Sequence, residues 1–268
     1  MQQNLSIGVF DSGVGGTSIW KEVVTRLPLE NTIYLADSKH APYGSKTKED
    51  IISLSVKNTE FLLKAGCKIV VVACNTATTN AIDHLRSQYD IPFIGIEPAI
   101  KPAALQSKSK CIGILATEGT LNSALFNNTL EQYTQDVQVK EVIGKGLVNL
   151  IESGSLKSKE LKTLLQSYVN PMIDSGIDHL VLGCSHYPYL IPLLKDILPE
   201  KIKIIDSGLA VARQTEAILA SNNILKTKGQ GKHSLYSNKD IAILEKFVSH
   251  FRESELPPNT STIQYLDF

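Results

Sequence analysis

Most of the features that would place a chain quickly are scarce or missing from this one. Its four cysteines are too few for a disulfide framework in 268 residues. No apolar run approaches the roughly 18 to 20 residues that a membrane-spanning helix needs. Neither sign of charge is in excess: 27 basic residues balance 27 acidic ones, which removes the case for a general nucleic-acid or membrane-surface binder and leaves room only for a local basic patch. The N-terminus runs from Met1 through Gln2, Gln3 and Asn4 into a strand-like Ile7-Gly-Val-Phe10, without the charged region, apolar stretch and cleavage site of a secretory signal. We therefore expect a cytoplasmic protein whose thiols are free. There is no low-complexity segment, no Gly-x-Gly-x-x-Gly fingerprint and no Gly-Lys-Ser/Thr phosphate loop. Cys184-x-His186 supplies two metal-capable side chains, but no second cluster at zinc-site spacing supports them, so no metal is expected.

What is present is an alternation of short apolar runs with longer amphipathic stretches, the pattern of parallel strands joined by helices. It predicts strands near 6–10, 32–36, 69–73, 92–96, 111–115, 137–142, 179–183 and 202–206. Helices are predicted over 16–26, 47–65, 76–88, 98–107, 121–134, 145–151, 158–175, 188–197 and 208–221, with several bounded by prolines such as Pro28, Pro92 and Pro199. A further strand at 233–237 and a helix at 239–250 follow an exposed loop over 226–232, and the tail from Glu253 reads as extended.

Two stretches repeat one another. Gly66 and Gly176 each open an apolar run that reaches a cysteine eight residues later, Cys74 before Asn75-Thr76 and Cys184 before Ser185-His186. Ile7-Gly-Val-Phe-Asp11-Ser12 aligns with Ile112-Gly-Ile-Leu-Ala116-Thr117, and the run at Ile94 aligns with that at Ile204. Three landmarks in one order imply two similar α/β units, 1–97 and 98–207, with residues 208–268 packing back on the first. The expected fold class is α/β: two similar parallel-sheet domains with the active site in the cleft between them.

An arbitrary cysteine behaves as a small buried hydrophobe, and Cys67 and Cys111 fit that description. Cys74 and Cys184 differ, because each ends a buried strand where open α/β sheets bind ligands. Two such thiols suit proton transfer between the faces of one molecule. A thiol with an ordinary pKa near 8.5 needs help to act as a base, and His186 beside Cys184 and Asp11 at the end of the first strand are the candidates. His40, His84, His179, His233 and His250 read as satisfied core or surface residues. The glycine turn Asp11-Ser-Gly-Val-Gly-Gly16 lets backbone approach a ligand at a helix N-terminus, and a carboxylate suits it better than a nucleotide.

Taken together, Ile7-Gly-Val-Phe-Asp-Ser-Gly-Val-Gly-Gly16, Pro42-Tyr-Gly44, Ala73-Cys-Asn-Thr-Ala77 and Gly183-Cys-Ser-His-Tyr-Pro188 resemble the signatures of the aspartate/glutamate racemase family, and within it the glutamate racemases. The similarity covers essentially the whole chain. The resemblance implies an isomerase that uses no pyridoxal phosphate, flavin or metal, with Cys74 acting on D-glutamate and Cys184 on L-glutamate. It assigns Asp11 to assist the first thiol, and His186 with Glu152 to assist the second. It also implies that Asp11, Ser12, Tyr43, Gly44, Asn75, Thr76, Thr117, Thr120, Ser185 and His186 hold the charged ends of the substrate. Supply of D-glutamate for peptidoglycan follows, and domain closure is expected to be part of turnover. The resemblance leaves a homodimer and an activating cell-wall precursor open as partners. Two departures stand out: Ser185 replaces the common threonine and keeps its hydroxyl, and Thr17-Ser18 occupies a place where an apolar residue is usual.

Three other readings compete. Aspartate racemase or a related dicarboxylate isomerase would use the same thiols on another substrate. A cysteine hydrolase would pair Cys184 with His186, but two residues along a strand end is poor geometry for that pair, and Cys74 would have no role. A two-lobed amino-acid binding protein would need neither thiol.

Overall fold

The structure is a computed structural model that describes residues 2–252 and 260–268. The tail expected around Pro257-Pro258 and the side chain of His250 lie outside the described residues. The chain begins with β1 (Ser6–Asp11), α1 (Thr17–Arg26), β2 (Thr32–Ala36), α2 (Lys48–Lys64), β3 (Cys67–Val72), α3 (Asn75–Gln88) and β4 (Phe93–Gly95). It continues through α4 (Ile100–Gln106), β5 (Cys111–Ala116), α5 (Glu118–Leu121), α6 (Ala124–Tyr133) and β6 (Gln138–Ile143). Then come α7 (Leu147–Glu152), α8 (Lys159–Asp174), β7 (His179–Gly183), α9 (Ile191–Ile197) and β8 (Lys203–Ile205). The chain closes with α10 (Gly208–Ser221), β9 (His233–Ser237), α11 (Ile241–Arg252) and β10 (Ser261–Tyr265).

Two parallel sheets result, one ordered β10-β9-β2-β1-β3-β4 and the other β6-β5-β7-β8. The run β2-β1-β3-β4 has the same topology as β6-β5-β7-β8, so the sequence repeat is also a repeat of strand order. In each sheet the chain first adds a strand on one side of the leading strand and then crosses to the other, making a switch point between β1 and β3 and another between β5 and β7. Cys74 and Cys184 emerge beside these two points. The first sheet takes strands from both ends of the chain and the second only from its middle. On that basis we propose domains of 1–97 plus 208–268 and of 98–207.

The local chemistry explains the repeat. Gly66 and Gly176 follow the ends of α2 and α8 with φ of +80° and +81°, the left-handed position that glycine takes without steric cost, and so turn each helix into the next strand. The strands they start, β3 and β7, are buried along their whole length, as are the central strands of sheets covered on both faces. Trp20 and Ile19 of α1 are buried, and α10 packs against the same helix.

Some elements depart from the sequence reading. The helix expected over 121–134 is broken, because the Ser123 hydroxyl accepts the Phe126 N–H at 3.3 Å and starts α6 as a new N-cap. The helix expected at 188–197 opens with a 3-10 turn over Tyr187–Leu190 before α9. The described end of the tail forms β10, which pairs parallel to β9. Its pairing depends on a distant strand and has no local signature.

A buried ion pair sits at the opposite end of the first sheet from the thiols. Lys68 Nζ lies 2.7 Å from Glu30 Oε2 with both side chains within 2% of full burial. Lys68 also donates to the Ile224 carbonyl at 2.8 Å, and Glu30 accepts the Lys226 N–H at 2.7 Å, so the pair anchors the approach to β9. Lys68→Ala leaves a buried carboxylate unpaired and should cost about 3–5 kcal/mol. Urea denaturation measures this, and an unchanged midpoint would show that Glu30 finds another partner.

Candidate active site

Cys74 is the N-cap of α3, and its Sγ accepts the Ala77 N–H at 3.4 Å and lies 3.5 Å from Ser12 Oγ. Burial pushes the Cys74 thiol well up, and the Asp11 charge adds to this, while Ser12 and the Ala77 amide pull back. A thiol raised in this way favours its protonated form, the form that donates. Burial also raises Asp11 above the usual carboxylate range, against the opposing pull of His186 and the Gly16 amide. A carboxyl group raised in this way is better suited to take a proton than an exposed one.

Cys184 follows β7 directly, and the chain turns at once, with the Tyr187 N–H donating to the Cys184 carbonyl at 3.0 Å. That turn brings His186 Nδ1 to 3.7 Å from Cys184 Sγ. The geometry expected to be poor for this pair is thus a close contact, because the backbone does not stay extended beyond the strand. His186 Nε2 donates in turn to Glu152 Oε1 at 2.6 Å. Burial works against a charge on His186, but the bonds to Cys184 and Glu152 overcome it and hold its pKa well above the ordinary value.

A raised histidine pKa stabilises the fold fully below the unfolded value near 6.5, and that stabilisation is lost as pH rises through the folded pKa. In Glu152→Gln the carboxylate is gone, so His186 should release its proton at lower pH and this part of the pH dependence of stability should shrink. NMR titration of the His186 ring checks the shift; an unmoved titration would show that Glu152 does not set it.

The glycine turn does something other than expected. Its Gly13 and Gly16 amides donate to Asp11 Oδ2 at 3.1 and 2.9 Å, and its Val14 amide donates to Glu152 Oε1 at 2.7 Å. These N–H groups do bind carboxylates, but the carboxylates are the protein's own. The turn fixes Asp11 and Glu152, and through Glu152 it fixes His186.

Between the thiols lies a space of about 250 Å³ lined by Ser12, Tyr43, Gly44, Cys74, Asn75, Thr76, Thr117, Cys184, Ser185 and His186, with Pro42 and Val148. Asp11 and Glu152 stand behind this lining, Asp11 accepting the Ser185 hydroxyl at 3.0 Å. Thr120 is also behind it, within a hydroxyl cluster where Thr76 meets Thr117 at 2.8 Å and Thr117 meets Thr120 at 3.0 Å. A larger space of about 620 Å³ reaching Lys145 and Asn149 shares Pro42, Gly44, Thr117 and Val148 with the first.

Asn75 is the telling residue. It is buried, it lines the cleft, and neither its Oδ1 nor its Nδ2 has a hydrogen-bond partner. Leaving such an amide unpaired costs roughly 1–3 kcal/mol per group, a cost that a polar ligand relieves. Tyr43 is the opposite case. Its hydroxyl donates to Asp37 Oδ2 at 2.5 Å and accepts from Asn58 at 3.2 Å, so the phenol already has partners within the protein, while Tyr43 and the following Gly44 line the cleft.

Sequence reasoning missed Asp37, which also accepts from Asn238 of the C-terminal part at 2.5 Å and pairs with His40 at 2.6 Å. It missed Val148 too, which reads as an ordinary apolar position of α7. Among the histidines set aside, His179 is only half satisfied: Nδ1 meets Asp178 at 2.8 Å while the buried Nε2 has no hydrogen-bond partner.

Fold and site together define a two-lobed α/β protein in which each lobe contributes one buried thiol to a shared cleft. The chain belongs to the Asp/Glu/hydantoin racemase family, whose pattern it matches over residues 7–215. It is 46% identical over 236 residues to a glutamate racemase of Pseudomonas syringae pv. tomato, covering 88% of this chain and 86% of that one. Its fold superposes on a glutamate racemase isoform of Bacillus anthracis with a TM-score of 0.86 at 28% identity, covering 99% and 98% of the two chains. A structure of Escherichia coli glutamate racemase with L-glutamate and the activator UDP-MurNAc-ala gives a TM-score of 0.84 at 28% identity, covering 98% of each chain.

Proposed function

We propose that this protein interconverts L-glutamate and D-glutamate by proton transfer at Cα between two thiols, and that it supplies D-glutamate for peptidoglycan. The observation that carries this reading is a thiol from each lobe lining one cleft beside an unpaired buried amide. Family membership narrows the chemistry to that of aspartate, glutamate and hydantoin racemases, and the relatives described above, all glutamate racemases, favour glutamate.

In this reading one cysteine, as thiolate, takes the Cα proton, and the other, as thiol, gives a proton to the opposite face. The net reaction consumes nothing, and each turnover leaves the two thiols with exchanged protonation states. Cys74 serves D-glutamate with Asp11 as its proton partner, and Cys184 serves L-glutamate with His186 and Glu152. The Asn75 amide and the hydroxyls of Ser12, Thr76, Thr117 and Ser185 hold the carboxylates and ammonium group. Such preorganised donors stabilise the charge that develops as Cα loses its proton. The two thiols supply both proton-transfer groups, so the reaction requires no cofactor.

Location in the cytoplasm, a homodimeric state and activation by a UDP-linked cell-wall precursor complete the proposal. No helix among the described residues is long and apolar enough to cross a membrane. Sedimentation and rates measured with UDP-MurNAc-ala test the last two points.

The deciding experiment is proton NMR of L-glutamate with reduced protein in deuterated water, without cofactor, alongside chiral analysis. Loss of the Cα signal with appearance of D-glutamate is the expected result. Exchange with L-aspartate in place of glutamate would move the assignment to a neighbouring activity, and no exchange with either, with or without UDP-MurNAc-ala, would overturn the reading.

A further inference from the structure

The two thiols are held in different ways. Cys74 takes its contacts from Ser12 and Ala77, both in its own lobe. The turn that carries Cys184 leaves a strand of the second sheet, yet its side of the cleft is pinned to the first lobe. Ser18 Oγ donates to the Ser185 carbonyl at 2.8 Å, and that carbonyl belongs to the residue directly after Cys184. Four residues further on, Tyr189 OH meets Thr17 Oγ1 at 2.5 Å, while Thr17 itself donates to the Val14 carbonyl at 2.5 Å. The Tyr189 ring then stands edge-on to Phe247 of α11, with centroids 4.4 Å apart.

Thr17 and Ser18 are the first two residues of α1, where hydroxyls often serve the helix's own end. Here the N-cap is Gly16, which makes no side-chain cap bond, and the Ser18 hydroxyl crosses to the other lobe. Thr17 is fully buried, and neither residue lines the cleft.

We infer that Ser18 and Thr17 are positioning residues for Cys184, setting from the first lobe the place of the second lobe's thiol. Two-face proton transfer needs both sulfur atoms within reach of a single Cα, and a shift of about 1 Å in a reacting group can cost on the order of a hundredfold. Ser18 fixes the peptide next to Cys184, and Thr17 with Tyr189 fixes the far end of the same turn. The thiol-to-thiol span is thus set by hydroxyl bonds across the interface and does not depend on the inter-lobe connections alone. This inference rests on the two-thiol reading of the site.

Its test is a comparison inside one molecule. Ser18→Ala, Ser18→Thr and Thr17→Val are treated with iodoacetamide over a pH range, and alkylation of Cys184 and Cys74 is followed by peptide mass spectrometry, with kcat and KM measured in parallel. Loss of one hydrogen bond and some precision should lower kcat about five- to tenfold in Ser18→Ala, with KM within about twofold. The Cys184-to-Cys74 alkylation ratio should move by about threefold or more, with Ser18→Thr restoring both. Should Ser18→Ala fail to fold, Thr17→Val, which removes the tyrosine's acceptor and keeps the shape, decides the matter by the same ratio.

Unchanged ratio and kcat would overturn the inference. So would parallel changes at both thiols accompanied by a lowered Tm, which is the signature of a merely structural bond. An unsubstituted protein that fails to exchange the Cα proton would overturn the racemase reading instead, while the alkylation ratio would still report on the clasp.

Discussion

Serine in place of Cys74 or of Cys184 should lower racemisation by about 10³-fold or more, within the range that positioned acid–base groups contribute. The side chains differ by one atom and both sites are buried, so the fold should survive and the change falls on proton transfer. A hydroxyl is a far weaker acid than a thiol, so serine can neither give up its proton at a useful rate nor exist as a base near neutrality. The two variants should also differ from each other. With Cys184 intact, Cys74→Ser can still remove and return the proton of one enantiomer, so slow deuterium exchange into L-glutamate should outlast the loss of D-glutamate formation. Cys184→Ser should show the mirror result with D-glutamate. NMR with chiral analysis separates these cases, and turnover within tenfold of the unsubstituted protein in either variant would remove that thiol from the mechanism.

Alanine at Gly15 should be nearly as damaging although it adds one methyl group. A Cβ there would lie 2.3 Å from His186 Nδ1 and 2.4 Å from its Cγ, so something must move. The imidazole is buried and held between Cys184 and Glu152, so it can yield only by breaking the contacts that define its role. A displacement of about 1 Å would cost on the order of a hundredfold in kcat. Gly13→Ala should act through the other end of the pair, its Cβ falling 2.0 Å from Glu152 Oε1. Circular dichroism would separate a displaced site from a lost fold, and near-normal turnover in Gly15→Ala would mean that His186 is free to shift without consequence.

These two predictions show unequal legibility. The cysteines could be found from sequence because their signal is local: a glycine with positive φ, a buried strand and a thiol at its end recur within eleven residues in each lobe. The glycines of the turn were visible too, but their purpose was not. Read locally, Asp11 to Gly16 is a loop for a ligand's carboxylate. In the folded protein the Val14 amide binds Glu152, which lies 138 residues away in sequence. Tyr43 shows the same limit, since Asp37 takes its hydroxyl and Asn238, 201 residues beyond Asp37, helps hold that carboxylate. The spacing of Cys184 and His186 reads as poor for a nucleophile–base pair for a different reason: it takes the strand as extended, whereas the chain turns directly after Cys184 and brings the two side chains to 3.7 Å.

The α/β class, most strand positions, the repeat and the two thiols are legible in the chain alone, because periodicity, turn glycines and strand ends are properties of short stretches of chain. Which groups stand behind each thiol, which hydroxyls remain for a ligand, and that the turn bearing Cys184 is held by the opposite lobe emerge from the folded molecule. Those outcomes depend on which distant polar groups must pair once water is removed, and no short stretch of sequence contains both partners.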